Sequence, residues 1–465
     1  MSAQFWEPPR SPRAAFEARR ARLWAELGPN GLESICLPSG FARPRNFAHN
    51  VYPFRAESHF LYFTGRHLEG ALFVVEDGVE RLYLLERDPE EALWSGPPPT
   101  YEELSEELGL EVRPLGDFEP RAGMATLPPQ DEETALWLSA LLDRTVEAQS
   151  GPDLVDGDEA LAQVMVDLRL RHDAWALEQL RFAASESGKA HEQGMRVTRR
   201  ASREYQVRAQ MEARLGESAL RPAYGSIVTM CGEVLHQPDS SGLLGPGLLL
   251  CDVGGETPEG FAGDVTRTWP SSGRFSGVER EAYEAVLRVQ LDAIAGARAG
   301  VSYGELHERA CLLMAGELVG LGLLEGAPRD LFDSGALSVF FPHGLGHLLG
   351  LDVHDMEDLG DRAGYGPEAQ RADHPAFRAL RLNRVLEPDM VVTIEPGLYF
   401  SPLLLRRAKE DRTIARQIRW AEVERFRSVR GIRIEDDVLV TDEDPVILSA
   451  SAPKSVAEIE ACLGA

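Results

Sequence analysis

Four acidic residues sit where apolar runs should continue. Leu248-Leu249-Leu250-Cys251 ends on Asp252, Phe261-Ala262-Gly263 on Asp264, Val391-Val392-Thr393-Ile394 on Glu395, and Ile432-Arg433-Ile434 on Glu435. A buried carboxylate without a partner is costly, so these groups need cations, hydrogen-bond donors or solvent. One aspartate at a strand end is ordinarily a turn or a cap. Four such sites in one domain are hard to read that way. The adjoining Asp436 and Asp437 read as exposed strand-end charges, and Glu256 and Glu259, flanking the turn at Pro258, as solvated.

Histidines offer the neutral ligand that such a set lacks. His343 and His347 have the i, i+4 spacing of a helical metal pair, but Gly344 and Gly346 oppose a helix, and the glutamate of HExxH is missing. A flexible Gly-rich segment delivering one imidazole is the better reading. His354 lies in a Leu351-Asp352-Val353-His354 alternation that resembles a strand. His49, His59, His67, His172, His191, His307 and His374 read as hydrogen-bonded structural residues.

Four carboxylates and one imidazole form a hard, oxygen-rich donor set, and two divalent cations would balance the four negative charges. Mn²⁺ or Co²⁺ suits such a set, with Zn²⁺ also admitted. A close pair of cations lowers the pKa of a shared water and stabilises an oxyanion. The chemistry implied is metal-assisted hydrolysis of an amide.

The elements that must hold these groups fall into two blocks. Residues 1–165 alternate helical and strand-like runs: a charged helix at Ala14–Leu27, strands at Ser34–Leu37, Ala71–Val75 and Arg81–Leu85, and helices at Tyr101–Leu108 and Glu133–Leu142. A turn-rich Gln149-Ser150-Gly151-Pro152-Asp153 stretch reads as a linker. Residues 166–465 carry all four carboxylates. Strands are expected at Ser226–Met230, Leu248–Val253, Gly260–Thr268, Val391–Glu395 and Ile432–Val440. Capping boxes at Ser276 and Ser302 open two helices. Two helix groups, each with its strands, hint at an internally duplicated α+β domain.

The chain has 465 residues, enough for two or three domains. Its 48 Lys and Arg against 75 Asp and Glu give a net charge of −27, which disfavours nucleic acid and anionic membrane as partners. Five cysteines, an odd number without a CxxC pair, argue against a disulfide framework and fit a reducing, cytoplasmic location. No signal peptide is visible, and no apolar run is long enough for a transmembrane helix.

Six stretches, in this order, resemble the proline-specific pita-bread metallopeptidases, aminopeptidase P and prolidase (family M24B). They are Cys251-Asp252-Val253-Gly254-Gly255, Ala262-Gly263-Asp264-Val265-Thr266-Arg267, His343-Gly344-Leu345-Gly346-His347, Leu351-Asp352-Val353-His354-Asp355, Ile394-Glu395-Pro396-Gly397-Leu398-Tyr399 and Gly431-Ile432-Arg433-Ile434-Glu435-Asp436-Asp437. Tyr52–Gly65 and Trp94-Ser95-Gly96 resemble the N-terminal domain of the same enzymes. The resemblance implies an α/β creatinase-like N-terminal domain and an α+β pita-bread catalytic domain. It further implies two metals per subunit, bound by Asp252, Asp264, His347, Glu395 and Glu435, with Asp264 and Glu435 bridging. Glu395 would accept a proton, His354 would donate to the substrate, and His236 would complete the catalytic set. His343, His354, Arg381, Tyr399 and Arg433 would contact or orient the substrate. Arg433 shares a strand face with Glu435, two residues on, and could orient that carboxylate. The implied substrates are peptides with proline second, and the implied assembly is a homodimer or homotetramer.

Two departures bear on the substrate. Ser226–Glu233 replaces the relatives' Gly-Ser-Gly-Glu-Asn upstream of His236. The segment Asp358–Arg384 resembles prolidase, where an arginine matching Arg381 can hold a dipeptide's terminal carboxylate. Xaa-Pro aminopeptidase is the preferred reading and Xaa-Pro dipeptidase the alternative. A non-catalytic binding protein and a metal-free amidinohydrolase share the architecture, but neither needs this ligand set.

Overall fold

The computed structural model describes residues 13–86, 90, 92–148, 154–366 and 371–464. The N-terminal arm and the turn-rich stretch at 149–153 lie outside the described residues. The chain divides into two compact units, residues 1–175 with 356–363, and residues 176–355 with 364–465. The division falls beyond residue 165 because the helix Asp156–Arg169 runs across that position.

The first unit is built on a four-stranded sheet. Ser34–Pro38, Ala71–Glu76 and Val79–Leu84 are antiparallel neighbours, and Glu111–Pro114 adds in parallel to the third. Asp77 and Gly78 both have positive φ, which lets a two-residue turn close the Glu76↔Val79 hairpin. The helix Arg13–Leu27 buries Phe16, Leu23 and Leu27.

The second unit supports the site. Ile227–Thr229, Leu248–Asp252 and Thr266–Pro270 form one antiparallel sheet, with Asp252 opposite Thr266. Val391–Ile394 pairs with Asp436–Leu439, and Gly397–Tyr399 with Gly431–Arg433. The capping boxes expected at Ser276 and Ser302 start the helices Gly277–Gly296 and Tyr303–Gly320, although only Ser276 closes the reciprocal box.

Three expected strands differ. The run 260–268 becomes a strand only from Thr266, leaving Asp264 on irregular chain just before it. Ile432–Val440 breaks into Gly431–Arg433 and Asp436–Leu439, and Glu435 sits in the break. His354 lies in a bend and not in a strand.

Candidate metal centre and active site

The strand ends of the second unit meet around one cavity of about 250 Å³. It is lined by Asp252, Asp264, Glu395 and Glu435, by His236, His343, His347 and His354, and by Arg381 and Arg433. Ten of the eleven residues singled out from the sequence therefore face the same space. The eleventh, Tyr399, does not line it. Its ring is fully buried, and its hydroxyl donates to His343 Nε2 at 2.9 Å and accepts from Arg433 Nη1 at 3.2 Å.

The backbone explains the convergence. Leu345 O accepts from Glu395 N at 2.8 Å, and His347 O from Thr393 N at 3.0 Å, so the 345–349 segment lies along the Val391–Ile394 strand. A Cβ at Gly346 would stand 2.1 Å from Thr393 O. The glycine thus serves close approach, not flexibility. Glu435 N donates to Thr266 O at 3.0 Å, which draws the break between the two C-terminal strands onto the Asp264 side.

The side chains form a connected set. Asp264, His347 and Glu435 offer ligand atoms within 4.8 Å of one another. His347 Nε2 stands 3.5 Å from Asp264 Oδ2 and 3.6 Å from Glu395 Oε1. His347 Nδ1 lies 3.0 Å from Leu348 O; donating there leaves Nε2 as the nitrogen that faces the carboxylates, the one a metal would take in place of its proton. The His354 ring lies over His347, centroids 4.0 Å apart.

Electrostatics show how much negative charge is crowded here. Burial pushes Glu395 up to about 7 and Asp252 up to about 6, and burial together with Asp264 drives Glu435 well above the carboxylate range. Burial alone would lower His347, but Asp264 and Glu395 outweigh it and lift it to about 9. Asp264, despite burial, is lowered by its contact with His347. The cluster calls for positive charge at its centre, and Asp264, His347 and Glu435 are a donor set that fits a divalent cation. His343 differs: burial, then Arg433, lower it to about 3, so it is a neutral wall whose Nδ1 donates to Gly344 O at 2.8 Å.

Several supporting groups have different roles from those expected. Arg433 Nη2 donates to Asp252 Oδ2 at 2.5 Å, while its Nε stands 4.0 Å from Glu435 Oε2, so it orients Asp252. Glu435 instead accepts from Thr266 Oγ1 at 2.6 Å. Asp436 and Asp437 are fully buried, contrary to the expected exposure. Asp436 is neutralised by Arg267 and Lys454, both at 2.7 Å, and Asp437 accepts from Asp264 N. Glu256 is likewise buried, against Arg221 at 2.5 Å. Tyr224 was not singled out: its hydroxyl lies 2.5 Å from Asp252 Oδ1 and 2.7 Å from Asp264 Oδ1. A lone tyrosine in Pro222-Ala223-Tyr224-Gly225 gives no such signal in the sequence.

Comparison with known proteins agrees with this site. Residues 178–442 match metallopeptidase family M24, and residues 16–134 match the aminopeptidase P N-terminal domain. The chain belongs to metallopeptidase family M24, and its second unit has the pita-bread fold. It is 31% identical to the Xaa-Pro aminopeptidase of Haemophilus influenzae, over 97% of both chains. It is 30% identical to the human Xaa-Pro dipeptidase, over 99% of this chain and 96% of that one. Among solved structures it resembles the aminopeptidase PepP of Pseudomonas aeruginosa, with a TM-score of 0.79, 30% identity and 98% of each chain covered.

Proposed function

We propose that the protein is a metallo-exopeptidase that hydrolyses the bond between an N-terminal residue and a following proline. The observation that carries this reading is the convergence of four carboxylates and His347 Nε2 on one cavity, which His236, His343, His354, Arg381 and Arg433 also line. Asp252, Asp264, His347, Glu395 and Glu435 would hold two divalent cations, with Asp264 and Glu435 shared between them. Bound there, such a pair supplies Lewis acidity that lowers the pKa of water and polarises a carbonyl. Mn²⁺ is the preferred metal, with Co²⁺ and Zn²⁺ as alternatives.

The protein's own groups do the rest. Glu395 takes the proton of the attacking water and passes it to the proline nitrogen as the C–N bond breaks. His354 and His236 face the cavity as donors to the carbonyl oxygen as it gains negative charge. His343, kept neutral by burial and by Arg433 and held in place by Gly344 O and the Tyr399 hydroxyl, offers the proline ring an uncharged surface. The bond before proline is a tertiary amide without an N–H, so a site for it needs shape and not an N–H acceptor.

Arg381 on the cavity wall favours a second reading, Xaa-Pro dipeptidase, because a guanidinium there can hold the carboxylate of a dipeptide. Manganese-supplemented hydrolysis of an Xaa-Pro dipeptide and an Xaa-Pro-Xaa tripeptide separates the two readings. Faster cleavage of the tripeptide supports the aminopeptidase, faster cleavage of the dipeptide supports the dipeptidase, and no cleavage of either overturns both. A homodimer or homotetramer in the cytoplasm is proposed. All five cysteines are free, and no helix among the described residues is long and apolar enough to cross a membrane.

A further inference from the structure

His236 lines the cavity yet makes no hydrogen bond to another protein group among the described residues. The loop that carries its imidazole, residues 230–242, has no helix or strand of its own. What fixes that loop fixes His236.

The loop's far end is held by the 203–205 segment, where Tyr205 N donates to Ser240 O at 2.8 Å and Arg203 Nη1 to Ser241 O at 2.9 Å. Glu204, 3% exposed, accepts from Met230 N at 2.6 Å and from Gly242 N at 3.1 Å, tying the two ends together. In the middle, Gly232 lies directly against Gly431. A Cβ on Gly431 would stand 2.2 Å from Gly232 O, so no side chain fits between them. Beside that contact the guanidinium of Arg430 grips the Glu233 carboxylate with two nitrogens, Nε to Oε2 at 2.8 Å and Nη2 to Oε1.

Arg430 is also strained. Its φ of 60° and ψ of −74° lie outside the regions an L-residue favours. Such a conformation persists only where the surroundings hold it. The next three residues are the strand Gly431–Arg433, which leads to Glu435. The strained residue thus joins the His236 loop to the strand bearing Arg433.

We infer that the Glu233–Arg430 ion pair is a latch that docks the 230–242 loop on the Arg430–Gly431 turn and so positions His236 at the cavity. Glu233 and Arg430 are positioning residues: they act through His236 and touch no reacting atom. The kinetic half of this inference rests on the Xaa-Pro peptidase reading; the docking half does not.

With the Arg430 side chain 44% exposed and that of Glu233 10%, the pair has the strength of a well-formed bridge at the surface, so Glu233→Gln should lower kcat/KM on an Xaa-Pro substrate by about two- to five-fold. Metal content should not change. The loss should appear in wild type when sodium chloride is raised to half-molar, and be absent from E233Q, which has no ion pair left to screen. The charge-swapped double variant E233R/R430E should recover most of the lost kcat/KM, which loss of fold would not allow. Amide exchange over 231–236 should quicken in E233Q whether or not the protein cleaves peptides. Wild type without Xaa-Pro activity but with faster exchange in E233Q would refute the functional reading and keep the latch. Unchanged exchange in E233Q, or unchanged kcat/KM in an active enzyme, would overturn the latch.

Discussion

The hydroxyl of Tyr224 lies 2.7 Å from Asp264 Oδ1 and, on its other side, 2.5 Å from Asp252 Oδ1. One phenol therefore spaces two carboxylates that would otherwise repel, and its pKa is pushed well up by burial and then by those same aspartates. Tyr224→Phe removes the oxygen and little else. Metal affinity should fall by about 10- to 100-fold, the usual cost of losing a group that orients a ligand. Titration with Mn²⁺ reads this directly, and an unchanged affinity would show that the hydroxyl does not matter to the cage.

His354 faces the cavity with its ring over that of His347 and is not one of the five proposed ligands. His354→Ala should lower kcat by about 10²-fold or more, as expected for a lost acid or transition-state donor, and leave metal content largely intact. Loss of metal in step with activity would instead make it part of the cage.

Arg381 is placed to read a terminal carboxylate. Arg381→Ala should raise KM for Xaa-Pro dipeptides by more than it does for longer peptides. An equal loss on both would refute that role.

Away from the site, His191 is fully buried, and Nε2 donates to Val253 O at 3.1 Å. Burial, then Arg267, lower its pKa from 6.5 to about 3. Between those values the unfolded chain holds a proton that the folded chain does not. His191 should therefore cost no stability above pH 6.5 and cost about 1.4 kcal/mol for each pH unit below it, until the folded value is reached. Urea unfolding of wild type and His191→Gln at pH 7.5, 6 and 5 checks this. The wild-type slope should be the steeper; parallel slopes would show that His191 titrates alike in both states.

Much of the site was legible because carboxylates at the ends of greasy runs are costly wherever they lie, and that cost points to a partner. Asp252 and Glu395 stood out for this reason, and the structure puts both at the cavity. What periodicity cannot show is where a strand breaks. Ile432-Arg433-Ile434-Glu435 alternates like one strand, yet the strand ends at Arg433, so Arg433 keeps Glu435 only at 4.0 Å and makes its short contact with Asp252. Burial of Asp436 was hidden for a related reason. Its neutralising groups, Arg267 and Lys454, come from distant segments, and only the fold brings them together. The same holds for Tyr224, whose meaning lies wholly in two aspartates elsewhere in the chain.

The cage itself is tested most directly by counting bound metal. Metal-free protein dialysed against Mn²⁺ should take up two ions per chain, Asp264→Ala should retain one at most and lose peptide hydrolysis, and chelation should abolish the activity of wild type. Wild type that binds no divalent ion, or that cleaves as fast after chelation, would contradict the central claim.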